Sequence, residues 1–238
     1  MSKSILIVGE FMWPWYQEAL LNSFKSQGLD VDSFKWFDFF WKRFPNNELK
    51  FKSLFHKIQY VFLEGPIIIR INNMFYEKTM SQRPDIIFLY SATLISNSTI
   101  QRIKQKLPAT IFCQYTNDNP FSKDRTFGIW RKFLKNIPLC DIHFVFRESD
   151  KEFYVNYGAK IVKPFLPYYI TEKDFHIPIN KIPIEFHSEV VFAGHYENDG
   201  RLEILEDIII KGYKLKLFGS GWDSAIKNKI NSPLRCLT

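Results

Sequence analysis

Cysteine is scarce in this chain, and long apolar runs, metal-binding motifs and glycine-rich nucleotide signatures are missing. Cys113, Cys140 and Cys236 are the only thiols among 238 residues. Odd in number and far apart, they offer neither a disulfide framework nor a CxxC pair. Reduced, structural thiols in a cytoplasmic protein are the expectation. Ile67-Ile68-Ile69 is followed by Arg70, far short of the ~20 apolar residues that a spanning helix needs. No secretory leader precedes the first apolar run, so a soluble or membrane-peripheral chain is expected. The five His are scattered and no Cys or His pair stands at metal-ligand spacing, so no metal is expected. What the chain has in excess is aromatic residues, 17% with 24 Phe, and basic charge, net +7. Such a balance favours anionic partners, whether nucleotide phosphates, nucleic acid or acidic headgroups, without choosing among them.

The pattern along the chain predicts an α/β protein. Ser4–Val8 is an apolar run closed by Gly9. A helical pattern from Tyr16 to Ser26 follows, with Gly28 as its stop, and then a strand over Asp30–Trp36. This is the opening of a Rossmann-type sheet. The loop between them, Gly9-Glu10-Phe11-Met12-Trp13-Pro14-Trp15, lacks the glycines that let a pyrophosphate approach the backbone, which disfavours NAD or FAD there. Helical segments are expected over Leu54–Met80, interrupted near Gly65-Pro66, and over Ser98–Lys106, Arg125–Asn136 and Asp150–Tyr157. Strands are expected at Ile86–Tyr90, Ala109–Tyr115, Cys140–Phe146 and Ile161–Leu166. Pro164, Pro167, Pro178 and Pro183 mark extended linker chain.

Ser188–Trp222 reads as one complete strand–loop–helix–strand unit. Glu189–Ala193 is apolar and ends at Gly194. Leu202, Leu205, Ile208 and Ile209 recur at helical spacing. Gly212 stops the helix, and Lys214–Phe218 leads to Gly219-Ser220-Gly221-Trp222. The strand ending Phe192-x-Gly194, the loop Arg201 and the strand ending Phe218-Gly219-x-Gly221-Trp222 together resemble the start of the donor-binding domain of GT-B glycosyltransferases. The likeness is greatest to the spore-maturation, CgeB-like group. Arg83-Pro84-Asp85, Asp118-x-Pro120 and the Asp174-x-His176-x-Pro178 segment are similar to further features of that group. The resemblance implies a Rossmann-like, acceptor-side N-terminal domain over 1–166 and a linker over 167–187. The beginning of an incomplete donor-binding domain would then follow over 188–238.

It further implies transfer of a sugar from a nucleotide diphosphate sugar to a glycan or glycolipid acceptor, with no bound cofactor. Glu10, Phe11 and Trp13 would face the acceptor; the aromatics have packing as their alternative. Asp118 would act on an acceptor hydroxyl as general base, or else form an Asx turn. Gly194, Arg201, Gly219 and Gly221 would meet the donor, with Arg201 on the diphosphate; the alternative for Arg201 is pairing with a helix acid such as Glu197.

Residues 34–62 interleave Phe and Trp with Lys35, Lys42, Arg43, Lys50, Lys52 and Lys57. Such a mixture suits peripheral contact with an anionic membrane at the inner face or stacking on single-stranded nucleic acid. It also suits an ordinary loop and helix with Phe inside and Lys solvated. Three roles stay open: the transferase or its N-terminal part, a non-catalytic remnant, and a basic membrane- or nucleic-acid-binding module.

Overall fold

The computed structural model describes residues 3–46, 48–121, 128–166, 169–228 and 233–234. Pro167 of the linker, the first residues of the helix expected from Arg125, Cys236 and most of the tail after 228 lie outside the described residues. The chain divides into two compact units, Met1–Lys173 and Asp174–Thr238.

The first unit is built on β1 (Ser4–Gly9), β2 (Asp30–Lys35), a hairpin of β3 (Trp41–Arg43) and β4 (Leu49–Phe51), β5 (Ile86–Tyr90), β6 (Ile111–Thr116), β7 (Ile142–Val145) and β8 (Val162–Pro164). Six of these form one sheet in the order β2-β1-β5-β6-β7-β8, and every neighbouring pair is parallel. This is the Rossmann-like α/β sheet that the apolar runs predicted. Parallel strands need crossovers that cover both faces, so their side chains are apolar on both sides. Leu6 and Val8 belong to one buried cluster with Phe75, Ile100 and Ile103. Ile5 and Ile7 belong to another with Leu20, Leu21 and Phe88. Each such side chain, fully buried, contributes about 2 kcal/mol.

The crossovers carry α1 (Ala19–Ser26), α2 (Phe37–Phe40), α3 (Leu54–Phe62), α4 (Pro66–Gln82), α5 (Asn97–Lys106), α6 (Arg131–Asn136) and α7 (Lys151–Asn156). The break expected near Gly65-Pro66 is present between α3 and α4. Gly65 has φ +119 there, and Pro66 starts α4 where no backbone donor is missed. Residues 34–62 are more structured than a loop and helix. The β3–β4 hairpin pairs Trp41 with Phe51, and their rings stack at 3.9 Å. Cross-strand aromatic pairing supplies what the short strands lack in length.

In the second unit β9 (Val190–Ala193) and β10 (Leu215–Phe218) are parallel. They are joined by α8 (Arg201–Ile210), and α9 (Trp222–Asn228) follows. Leu202, Leu205, Leu215, Trp222 and Ile226 form its core. No described helix is long and apolar enough to cross a membrane.

Candidate active site

In open parallel sheets ligands gather at the carboxyl ends of the strands. In the first unit β1, β5 and β6 end level with one another, because Val8 pairs with Leu89 and Tyr90 with Tyr115. Just beyond these ends lie Glu10, Phe11, Ser91, Thr116 and Asp118.

Glu10 is held by long-range partners. Trp36 and Phe37 donate their backbone N–H groups to the carbonyls of Gly9 and Glu10 at 3.3 and 3.2 Å, which carries the β1–β2 pairing past the strand ends. The Glu10 carboxylate accepts Trp41 Nε1–H at 2.7 Å and the Tyr60 hydroxyl at 3.2 and 3.3 Å. Burial raises its pKa above the ordinary carboxylate range, against the two hydrogen bonds, which lower it. Tyr60 is pushed up in turn, by burial first and by the Glu10 charge second.

Phe11 follows at φ +59, with Lys35 Nζ 4.6 Å above its ring. Ser91, directly after β5, has φ +47. Non-glycine residues in this region cost about 1–3 kcal/mol each and collect at functional sites. Two of them here follow two adjacent strands. Trp13 stacks on Trp15 at 5.1 Å and lies under the Arg43 guanidinium at 5.3 Å. Arg43 also donates to the Met12 carbonyl at 2.6 Å. The loop therefore presents a fixed aromatic and cationic surface.

Asp118 belongs to a different set. Thr116 Oγ1 accepts both Ser91 Oγ–H at 3.0 Å and the Asp118 backbone N–H at 3.1 Å. Asn119 Oδ1 accepts Phe121 N–H at 2.9 Å, an Asx turn. Since β5 separates β1 from β6, Glu10 and Asp118 stand on strand ends about 10 Å apart. Trp41, Tyr60, Ser91 and Thr116 were not singled out by the sequence. Of these Ser91 and Thr116 carried a signal, each as the first residue of a polar stretch after an apolar strand.

In the second unit the motif residues are interlocked. Gly194 N–H donates to the Phe218 carbonyl at 2.7 Å, and Tyr196 N–H donates to the Ser220 carbonyl at 2.9 Å. Trp222 Nε1–H donates to the Gly194 carbonyl at 2.8 Å. A Cβ on Gly219 would sit 2.2 Å from that same carbonyl oxygen, and φ there is +137. Trp222 meets Phe192 and Tyr196 edge-on at 5.5 Å each. The Phe-x-Gly and Gly-x-Gly-Trp spacings thus have a structural reason: they knit two strand ends together. With the Gly194 amide spent in this way, any ligand contact by Gly219 or Gly221 would be an approach to bare backbone.

Arg201, the first residue of α8, closes its own loop. Nε–H and Nη2–H donate to the two Asp199 carboxylate oxygens at 2.7 and 2.6 Å. Nη1–H donates to the His195 carbonyl at 2.6 Å, and Nη2–H reaches Glu197 at 3.0 Å. The Arg201 hydrogen bonds hold Asp199 below the usual carboxylate range. An entering diphosphate would have to displace two carboxylates from this guanidinium.

No family model matches this chain, and no curated protein does. Solved structures do share its fold. An S. aureus MnaA–UDP co-structure aligns with 97% of this chain at TM-score 0.55 and 10% identity; this chain covers 66% of it, just under two thirds of its length. Arabidopsis thaliana UGT89C1, complexed with UDP-L-rhamnose, aligns with 96% of this chain at TM-score 0.50 and 11% identity, with 68% of that protein covered. A UDP-GlcNAc 2-epimerase from Methanocaldococcus jannaschii aligns at TM-score 0.48 and 13% identity, over 98% of this chain and 71% of that one. At such identities the likeness to the first two is one of fold alone, α/β and Rossmann-like.

Proposed function

We propose that this chain is a nucleotide-sugar-dependent glycosyltransferase, or the N-terminal part of one. The observation that carries the reading is its likeness in fold, over nearly the whole chain, to proteins solved with UDP and with UDP-L-rhamnose. The acceptor is assigned to the carboxyl edge of the first unit's sheet, where Phe11 and Trp13 lie with the Lys35 and Arg43 cations over their rings. Glu10 is the preferred general base, because burial raises its pKa and so makes it a stronger proton acceptor than an ordinary carboxylate. Asp118 is the second candidate. The base takes the acceptor hydroxyl proton while the freed oxygen bonds to the anomeric carbon. The bond from that carbon to the diphosphate breaks, and the nucleoside diphosphate leaves. Arg201, once released from Asp199, meets the diphosphate charge, beside backbone at Gly194, Gly219 and Gly221. No metal is assigned to the reaction; basic side chains and the α8 N-terminus are the proposed charge partners.

The test is a thermal-shift panel of nucleotide diphosphate sugars against the 238-residue chain, followed by product analysis with and without glycan or glycolipid acceptors. A rise in Tm with one nucleotide class and acceptor-dependent release of the nucleoside diphosphate is expected. Conversion of the donor sugar with no acceptor present would replace the transferase reading with epimerisation. Absence of any shift would leave the acceptor half without a donor half.

A further inference from the structure

Helix α3 turns an apolar face to solvent, while Gln59, Tyr60 and the following Leu63 point inward. Leu54, Phe55, Ile58, Val61 and Phe62 lie on one stripe and are 46 to 71% exposed. Gln59 on the opposite face is buried. The inward face has fixed duties. Gln59 Oε1 accepts the Ile67 N–H at 2.8 Å and so satisfies the start of α4. Tyr60 donates to Glu10, and Leu63, at φ +52, is fully buried. Rotating the helix to hide the stripe would break all three, so its exposure is imposed by the rest of the unit.

Against the same helix, through His56, is a recess of about 340 Å³ lined by Asp38, Phe39, Lys52, His56, Ile67 and Arg70. Lys52 Nζ donates to the Asp38 backbone carbonyl, and the Arg70 guanidinium lies 5.7 Å from the Phe39 ring centre. Of the nearby acids, Asp38 lines the recess itself, Glu48 pairs with Lys50 and Glu64 pairs with Arg131. Among the described residues Lys52, Lys57 and Arg70 have no ion pair. A helix that shows solvent an aromatic and aliphatic stripe and also carries unpaired Lys57, with Lys52 just before it, matches one kind of surface: acyl chains beneath anionic headgroups. A protein partner or a second copy would match the stripe but gives the cations no role.

We infer that α3 and the Lys52–Arg70 recess dock this protein onto an anionic lipid bilayer, with Phe55, Ile58 and Phe62 in the interface and Lys57 and Arg70 on headgroup phosphates. Taken with the transferase reading, on which this step alone rests, the Tyr60–Glu10 hydrogen bond joins the docked helix to the acceptor edge and makes a lipid-linked acceptor the substrate class.

The experiment is co-sedimentation of the full chain with vesicles of phosphatidylcholine alone and with about 30 mol% phosphatidylglycerol. No nucleotide sugar is present, so its failure is separate from failure of the transferase reading. The wild type is expected on the anionic vesicles, less so at high salt. Ile58→Glu with Phe62→Glu, both on exposed positions, should lower vesicle affinity at least about tenfold at unchanged Tm. Lys57→Glu with Arg70→Glu should remove the preference for anionic over neutral vesicles. Wild-type protein that stays in the supernatant with anionic vesicles, or glutamate variants that bind like wild type, would overturn the proposal. So would a dimer in solution that Phe62→Glu dissolves, since the stripe would then serve a second copy.

Discussion

Both strand-end sites place charged groups beside parallel strands, but the two regions hold them in opposite ways. In the first unit Glu10 is fixed by Trp41 and Tyr60, which are 31 and 50 residues away, and burial makes its charge costly. In the second unit Arg201 is fixed by residues two to six positions away, on an exposed loop. The first arrangement is a carboxyl whose charge burial opposes. The second is a charge already neutralised by its neighbours, which must be freed before it meets a ligand. Tertiary packing can strain and desolvate a group; a local loop mostly satisfies it.

Four changes would break or sharpen this contrast. The largest effect is expected from Gly219→Ala. The added Cβ has no room beside the Gly194 carbonyl and the backbone is at φ +137, so the second unit should lose about 3 kcal/mol, seen as an earlier transition in urea. The first unit should keep its own transition.

Next comes acid. His143 lies fully buried on β7, and burial pushes its pKa down to about 4. The unfolded chain takes up this proton at higher pH than the fold does. Its contribution is therefore whole above about pH 6.5 and lost as the pH falls towards 4. His143→Leu should flatten the dependence of Tm on pH across that window in the first unit. An equal acid loss in the variant would clear His143.

Glu10 has the opposite sign. Its raised pKa means that the fold binds the proton more tightly than the unfolded chain. Stability is therefore greatest below about pH 4.5 and falls as the pH rises through the folded pKa. Glu10→Gln should gain in Tm relative to wild type between acid and neutral pH, while kcat loses its acid limb and falls about 10²-fold or more. Full activity in this variant would pass the base role to Asp118, whose own substitution, Asp118→Asn, would then be the decisive one.

The smallest effect on the fold is expected from Arg201→Ala. The pairs it makes are solvent-exposed, and such pairs add little, so the melting curve should hardly move. Nucleotide-sugar affinity should fall. Unchanged affinity would leave Arg201 as a loop latch alone.

Much of the fold was legible because apolar periodicity is a local signal. Ile86–Tyr90 was read to the residue, and most other strands of the main sheet to within a few. The hairpin in 34–62 was not, since it depends on Trp41 meeting Phe51 across a turn rather than on alternation within one run. Resemblance picked out Gly194, Gly219, Gly221 and Trp222 as a motif, but their mutual contacts needed coordinates. Glu10 was visible as a polar residue after the first strand, yet nothing local says that its carboxylate is desolvated.

The sequence by itself determined the alternation of buried strands and helices, the breaks at Gly65-Pro66 and Gly212, and the basic, aromatic character of the chain. These follow from side-chain hydrophobicity and backbone freedom over a few residues. Only the tertiary structure decided that Glu10 is buried against Tyr60, that Phe11 and Ser91 carry strain, and that α3 turns its apolar face outward. Each of these depends on which distant groups share the same space, and on the hydrogen bonds and burial that follow once they do.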